Sequence, residues 1–310
     1  MGLDRRARRF LDLLAASARD SAGAPDLSDL REASVGLAAF AGPTPKVERR
    51  DEILADCAPS LALRHYCPPG RSEAELPALV YFHGGGWISG GLETHDALCA
   101  TLAARGMCRV IAVDYRLAPE HRFPRALEDG VAAVRAIRAD PRRFGVDPRR
   151  LGIAGDSAGA NLAVVAARAS GAPLALQVLL CPVMEPLGRT RSREKLARGY
   201  LIEEATLARY WDYYRVDGLA PDDPRVAPLR AKDFAGMPPA LIHTAEFDPL
   251  RDEAELYAQA LARAGIRVAL TTHAGLIHHF YGLGAVIPAA QAALERIAEE
   301  VREAFAGIEG

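Results

Sequence analysis

The sequence predicts an α/β protein with a mostly parallel sheet covered by helices on both faces. Three observations carry this reading. From Ala78 to Gly282 short apolar runs alternate with helix-compatible stretches, as parallel strand–helix–strand units require. The runs are apolar throughout, the pattern of strands buried on both faces. Gly155-Asp156-Ser157-Ala158-Gly159 stands where one such run gives way to an Ala-rich helix, a strand-turn-helix context in which a Gly-x-Ser-x-Gly turn exposes its hydroxyl.

The elements follow in order. Leu3, Phe10, Leu13 and Leu14 fit one face of an amphipathic helix. Asp12 interrupts the short Leu/Ala segment ahead of Ala15-Ala16-Ser17-Ala18, which argues against an export signal. Gly23-Ala24-Pro25 separates this helix from a second. Residues 1–45 are thus expected to form an N-terminal helical cap segment. Val47–Cys57 and Ser60–Tyr66 read as an antiparallel opening to the sheet. Leu79–Phe82 is a buried strand, and Asp114–Glu120 is a polar strand end read as a turn network. Arg150–Ala154 is β-compatible and Asn161–Arg168 helix-compatible. Leu174–Cys181 and Pro239–Ala245 are further strands, with Arg251–Ala264 a helix and Arg267–Thr272 the last strand. The long insertion after Cys181 carries Tyr210, Trp211, Tyr213 and Tyr214 in a helical stretch, Glu203–Tyr214. Long insertions in compact domains are usually functional. Residues 185–218 are therefore expected to complete the cap, with 46–184 and 219–310 as the catalytic domain.

The motifs point to acyl-transfer chemistry. The glycines flanking Ser157 suit a turn where strand and helix come too close for a Cβ. The Ala158 amide opens the following helix and can donate to a developing anion. Upstream, His83-Gly84-Gly85-Gly86-Trp87 directly follows a strand. Such a loop brings several N–H groups to one point, where the transition state of acyl transfer gathers negative charge. His83 precedes Ser157 and reads as a positioning residue rather than a base. Downstream, Asp248 ends a strand, whereas Asp252 and Glu253 sit in the first helical turn, where acids complement the dipole. His278 and His279 lie in the loop after the last strand. The order Ser157, Asp248, His278 is that of a nucleophile, acid and base on this architecture. Asp156 is open to two readings, a substrate contact or a network with neighbouring loops.

Composition narrows the class. The chain has 310 residues, 50% of them hydrophobic, and a net charge of -2. That balance indicates neither nucleic acid nor an anionic membrane surface. No apolar run approaches the roughly 18 residues of a membrane span. Cys57, Cys67, Cys99, Cys108 and Cys181 are odd in number and lack metal-like spacing, as expected of reduced thiols in a cytoplasmic protein. His273, His278 and His279 lack a supporting ligand constellation, so no metal is expected. Gly84–Gly86 with Gly90-Gly91 lacks the lysine of a phosphate loop. No cofactor is expected.

His83–Gly86, Asp114-Tyr115-Arg116-Leu117-Ala118-Pro119-Glu120, Gly155–Gly159 with Asn161, Asp248–Glu253 and Gly275-x-x-His278 run in one order between Leu76 and Tyr281. In this set the chain resembles the bacterial hormone-sensitive-lipase-like carboxylesterases of the α/β-hydrolase superfamily, in the branch with Gly-Asp-Ser-Ala-Gly. The resemblance implies an α/β-hydrolase fold with a helical cap. It also implies a triad of Ser157, Asp248 and His278, with oxyanion donors from the Gly85, Gly86 and Ala158 amides. Ala160 and His279 depart from the family pattern, which commonly has glycine at both positions. Substrate contacts are expected from Trp87, Asp156, Tyr200, Leu201 and Trp211. The implied reaction is hydrolysis of short- to medium-chain acyl esters of small molecules through an acyl-enzyme. A homodimer is compatible with it. Amide hydrolysis, a lyase reaction on the same scaffold and a non-catalytic ligand-binding role are the alternatives.

Overall fold

The computed structural model describes residues 2–18, 25–55 and 60–308. Its strands are β1 (Glu48–Leu54), β2 (Leu61–Cys67), β3 (Leu76–Phe82), β4 (Arg109–Asp114), β5 (Val146–Asp156), β6 (Gln177–Leu180), β7 (Ala240–Phe247) and β8 (Val268–Ile277). They form one eight-stranded sheet in the order β1-β2-β4-β3-β5-β6-β7-β8. β2 is antiparallel to both β1 and β4, and every other pair is parallel. The expected helix break at Gly23-Ala24 and the expected strand end at Cys57 lie outside the described residues.

Helices cover both faces, which explains the unbroken apolar runs. α1 (Arg5–Ala18), α3 (Asp96–Gly106) and α9 (Pro288–Ala306) lie on one face; α4 (Arg125–Ala139), α5 (Ala158–Ser170) and α8 (Arg251–Arg263) lie on the other. Along β3, Ala78, Val80 and Phe82 enter one layer while Leu79 and Tyr81 enter the opposite one. Alternate side chains point to opposite faces of a strand, so a strand covered twice needs apolar residues at every position.

The topology fixes where a site can form. From β3 the chain moves to β4 on one side and later to β5 on the other. Ligands of open α/β sheets bind at such a switch point, beyond the carboxyl ends of the strands. Phe82 pairs with Gly155 across β3 and β5. The loop after β3 and the turn after β5 therefore leave the sheet side by side.

α2 (Leu27–Ala38), α6 (Arg191–Lys195) and α7 (Glu204–Tyr214) lie outside these two layers. A buried ion pair ties the insertion down: Arg193 of α6 meets Glu253 of α8 at 2.9 Å. Glu253 also accepts the Met184 and Glu185 amides at 2.9 and 2.7 Å. α2 is held by Arg31, which donates to the Ile88 carbonyl at 2.8 Å and pairs with Glu120 at 2.6 Å.

Strand ends differ from expectation in three places. β6 covers only Gln177–Leu180 of the expected 174–181 run, and β5 begins four residues ahead of Arg150. β8 continues through residues 274–277, which read as loop in the sequence. The register shifts between Ala245 and Phe247, so that Phe247 pairs with Ile277. Gly275 takes φ 74 within this irregular stretch, a conformation that glycine supplies at low cost.

The interior holds several uncharged histidines. Burial lowers the pKa of His65, His83 and His273 from 6.5 to about 4, and that of His243 and His279 to about 3. In the unfolded chain these rings take up protons near pH 6.5, whereas the folded protein resists until much lower pH. Their contribution to stability is complete above pH 6.5 and is lost as pH falls toward 4. The melting temperature should accordingly drop by more than about 5 °C between pH 7 and pH 5. A flat profile over that window would show these rings charged in the fold.

Candidate active site

The turn between β5 and α5 carries Ser157 at φ 51, ψ -118, outside the usual conformations of a residue with a side chain. Its surroundings hold it there. The Ser157 amide donates to the Leu180 carbonyl at 2.8 Å, and its carbonyl accepts from the Val183 amide at 3.2 Å. A Cβ on Gly155 would strike the Gly159 backbone, and one on Gly159 would strike the carbonyls of Phe82 and His83. Both glycines are therefore set by close approach of strand, helix and loop.

Three side chains far apart in sequence meet at this turn. His278 Nε2 lies 3.2 Å from Ser157 Oγ. On the other side of the ring, Nδ1 donates to the Asp248 carboxylate at 2.9 Å. The second carboxylate oxygen of Asp248 accepts the Leu250 amide at 2.8 Å. With the Nδ1 proton directed at Asp248, Nε2 presents a lone pair to the serine hydroxyl. A serine so placed can lose its proton as it attacks a carbonyl, while the buried carboxylate stabilises the imidazolium. His279 takes φ 62 and packs its ring on Tyr281, with centroids 5.0 Å apart. It lines the cavity but, among the described residues, makes no hydrogen bond to Ser157.

The glycine loop faces the same point. Gly85 and Gly86 have φ 119 and 62. Among the described residues, the amides of Gly85, Gly86 and Ala158 donate to no protein group. His83 holds the loop from behind: Nδ1 donates to the Gly84 carbonyl at 2.8 Å and the ring stacks on Tyr115 at 4.3 Å. The 114–120 segment is the turn network expected of it. Tyr115 donates to the His83 carbonyl at 2.7 Å, and the Ala118 amide donates to the Trp87 carbonyl at 2.9 Å.

The structure gives Asp156 the network and also places it in the lining of the cavity over Ser157. Its carboxylate accepts from Tyr81 Oη at 2.5 Å and the Gly84 amide at 2.9 Å, and lies 3.3 Å from His95 Nε2. Burial works to raise its pKa, but His95 and the Tyr81 hydrogen bond outweigh that and hold it well below the usual carboxylate range.

A cavity of about 690 Å³ opens over Ser157 and His278. Leu30, Ala33, Ser34 and Leu37 of α2 wall one side, and Leu201, Ile202, Thr206 and Tyr210 wall another. Of the expected substrate contacts, Asp156 and Leu201 do reach the cavity. Trp87 instead stacks on Tyr214 at 4.6 Å, within the core beneath α7. Tyr200 stacks on Phe247 at 5.7 Å, and Trp211 is buried in the core. In each case packing, rather than the cavity, claims the aromatic face. Sequence reasoning passed over the α2 wall, although residues 30, 33, 34 and 37 have the i, i+3, i+4, i+7 spacing of one helix face. Tyr210 was legible only as one aromatic among four.

Among the described residues, one group of potential metal ligands is close-set: Cys181, Asp248 and His278. It is the hydrogen-bonded Asp248–His278 pair with a thiol beside it. A cation there would occupy Nδ1 and leave the proton on Nε2, removing the acceptor that faces Ser157.

A reactive phosphonate should mark this geometry. One adduct is expected, on Ser157, by mass spectrometry of the intact and digested protein. His278→Ala should lose labelling, and His279→Gly should keep most of it. The reverse result would assign the base to the wrong imidazole.

Comparison with known proteins agrees with this architecture. A family model for the alpha/beta hydrolase fold matches residues 79–282. The carboxylic ester hydrolase LipN of Mycobacterium tuberculosis is 41% identical over 255 residues, 79% of this chain and 67% of that protein. An ethyl acetate hydrolase of Pseudomonas putida is 37% identical over 250 residues, 79% of each chain. An alpha/beta hydrolase enzyme from the metagenome of Lake Arreo superposes with a TM-score of 0.92 at 36% identity, covering 98% of this chain and 99% of that one. With its sheet order, its strained serine turn and these relatives, the chain belongs to the α/β-hydrolase fold family, among the hormone-sensitive-lipase-like carboxylesterases.

Proposed function

We propose that the chain is a serine carboxylesterase acting on small-molecule esters of short to medium acyl chains, without a cofactor. The carrying observation is the aligned series Ser157 Oγ, His278 Nε2, His278 Nδ1 and Asp248, with contacts of 3.2 and 2.9 Å. In this reading Ser157 attacks the ester carbonyl as His278 takes its proton. Asp248 orients the ring and stabilises its cation. The Gly85, Gly86 and Ala158 amides receive the oxyanion. His278 then protonates the leaving alcohol, and water releases the acid by the same route. The relatives named as ester hydrolases support ester over amide as the bond cleaved. A cavity of about 690 Å³ walled largely by apolar side chains suits a small ester.

We also read α1, α2 and residues 185–218 as a cap on the catalytic domain, since α1, α2 and the insertion all contribute cavity walls. A cytoplasmic location is in keeping with the four buried, unpaired cysteines among the described residues. None of the described helices is long and apolar enough to cross a membrane.

Three measurements test the reading. Ser157→Ala should lower kcat by about 10⁶-fold, as loss of a triad nucleophile does elsewhere; an active alanine variant would refute the mechanism. A Cβ at Gly86 would run into the Tyr210 ring, at a φ that glycine alone takes easily. Gly86→Val should therefore lose about 2.7–4 kcal/mol of transition-state stabilisation, the usual worth of one oxyanion donor. A folded variant with unchanged kcat would remove that amide from the donor set. Finally, kcat/KM across 4-nitrophenyl esters should peak between acetyl and hexanoyl; a maximum at palmitoyl would point to a lipase.

A further inference from the structure

We infer that the cavity wall formed by His279, Tyr281 and His95 is a polar subsite, and that the esters it selects carry an uncharged hydroxyl group close to the scissile bond. The inference rests on the esterase reading above and deepens it by naming the substrate class. Nothing in the sequence marked His279 as more than a departure from the family pattern beside His278.

His279 is built firmly into that wall. It takes φ 62, a conformation that residues with side chains keep only where the surroundings over-determine it, and one that gathers at functional sites. Its carbonyl accepts the Gly282 amide at 2.9 Å. The ring lies over Gly282, where a Cβ would strike Nε2. It meets the Tyr281 ring edge to face, with centroids 5.0 Å apart and planes at 71°. The His95 ring stands on another side, 6.4 Å away. The imidazole is thus held in place, yet among the described residues neither of its nitrogens hydrogen-bonds to the protein.

Tyr281 shares this condition. It is 3% exposed, and its hydroxyl, although next to Asp156, completes no hydrogen bond. His95, by contrast, is engaged on both sides: Nδ1 lies 2.9 Å from Thr94 Oγ1 and Nε2 3.3 Å from Asp156. His279, Tyr281, His95 and Asp156 all line the cavity over Ser157. They make a polar patch in a cavity whose other walls, Leu30, Leu37, Leu201 and Ile202 among them, are apolar. Chain adjacency keeps the patch close to the triad, since Asp156 precedes Ser157 and His279 follows His278.

The chemistry of the two free groups selects their partner. A neutral imidazole offers one N–H donor and one acceptor nitrogen, and a phenol offers one donor and acceptor lone pairs. A hydroxyl is the small group that can answer both, accepting from one and donating to the other. A carboxylate does not fit, because Asp156 lines the same wall and like charges repel in a desolvated site. An ester without the hydroxyl leaves the imidazole and the phenol covered and unpaired. A site of that kind discriminates against the bare analogue.

The test compares ethyl butyrate with ethyl 3-hydroxybutyrate, which carries the hydroxyl on the acyl side, and with 2-hydroxyethyl butyrate, which carries it on the alcohol side. In wild type, kcat/KM for one hydroxylated ester should exceed that for ethyl butyrate by about three- to ten-fold, the worth of one hydrogen bond. The preferred ester identifies the side on which the hydroxyl belongs. His279→Gly, which suits the positive φ, should bring that ratio close to one, and Tyr281→Phe should lower it. Calorimetric Kd values of the same esters for Ser157→Ala give the preference without turnover. A tighter hydroxylated ester there, beside a wild type that hydrolyses none of the three, would refute the esterase reading and leave this inference standing. Equal Kd values for all three esters, or a preference that both His279→Gly and Tyr281→Phe leave intact, would overturn it.

Discussion

One buried carboxylate couples the two halves of the site. Asp156 sits at the carboxyl end of β5, one residue before the strained serine, and accepts the Gly84 amide at the head of the loop that follows β3. It also anchors Tyr81 and lies against His95. The pairing of Phe82 with Gly155 brings strand ends together, but strand pairing alone leaves a glycine loop free to wander. A charge buried among donors holds that loop at a fixed offset from Ser157. Such a charge is costly to bury and is tolerated only when fully satisfied. The distance between the Ser157 hydroxyl and the Gly85 and Gly86 amides therefore depends on a carboxylate that bonds to neither.

The elements that wall the cavity are joined to the same frame. Arg31 on α2 donates to the carbonyls of Ile88 and Ala118 and pairs with Glu120. Trp87 stacks against Tyr214 at the end of α7. Both helices thus rest on the backbone that shapes the glycine loop, so the apolar cavity walls and the polar site share one support. Gly86 shows how close this join is, since its missing side chain makes room for Tyr210.

Much of this was legible in the sequence because local signals and global architecture agreed. Unbroken apolar runs announced a doubly covered parallel sheet. The flanking glycines of Ser157 and the His83–Gly86 run carried backbone requirements that few other residues can meet. The order of Ser157, Asp248 and His278 followed from where strands end. What was not legible depends on packing across the sheet. Trp87, Tyr200 and Trp211 were aromatic residues near a site, and only the fold shows them stacked on Tyr214, on Phe247 and in the core. Asp156 read as facing either substrate or loop, and only the fold shows it lining the cavity while holding the Gly84 amide. The lengthened β8 escaped notice because Gly275 reads as a turn when its irregular pairing with β7 is unseen.

The contact between Ser157 and His278 spans 121 residues of chain. Asp248 lies on a different strand end from either, and the glycine loop on yet another. No short stretch of this polypeptide carries a working fragment of the site. Closing such distant contacts demands most of the loop entropy that folding must overcome. The hydroxyl and imidazole can meet only after β5, β7 and β8 have docked in register. For this molecule, recovery of activity after denaturation is a clock for the last long-range pairings, whereas helical signal can return well before it.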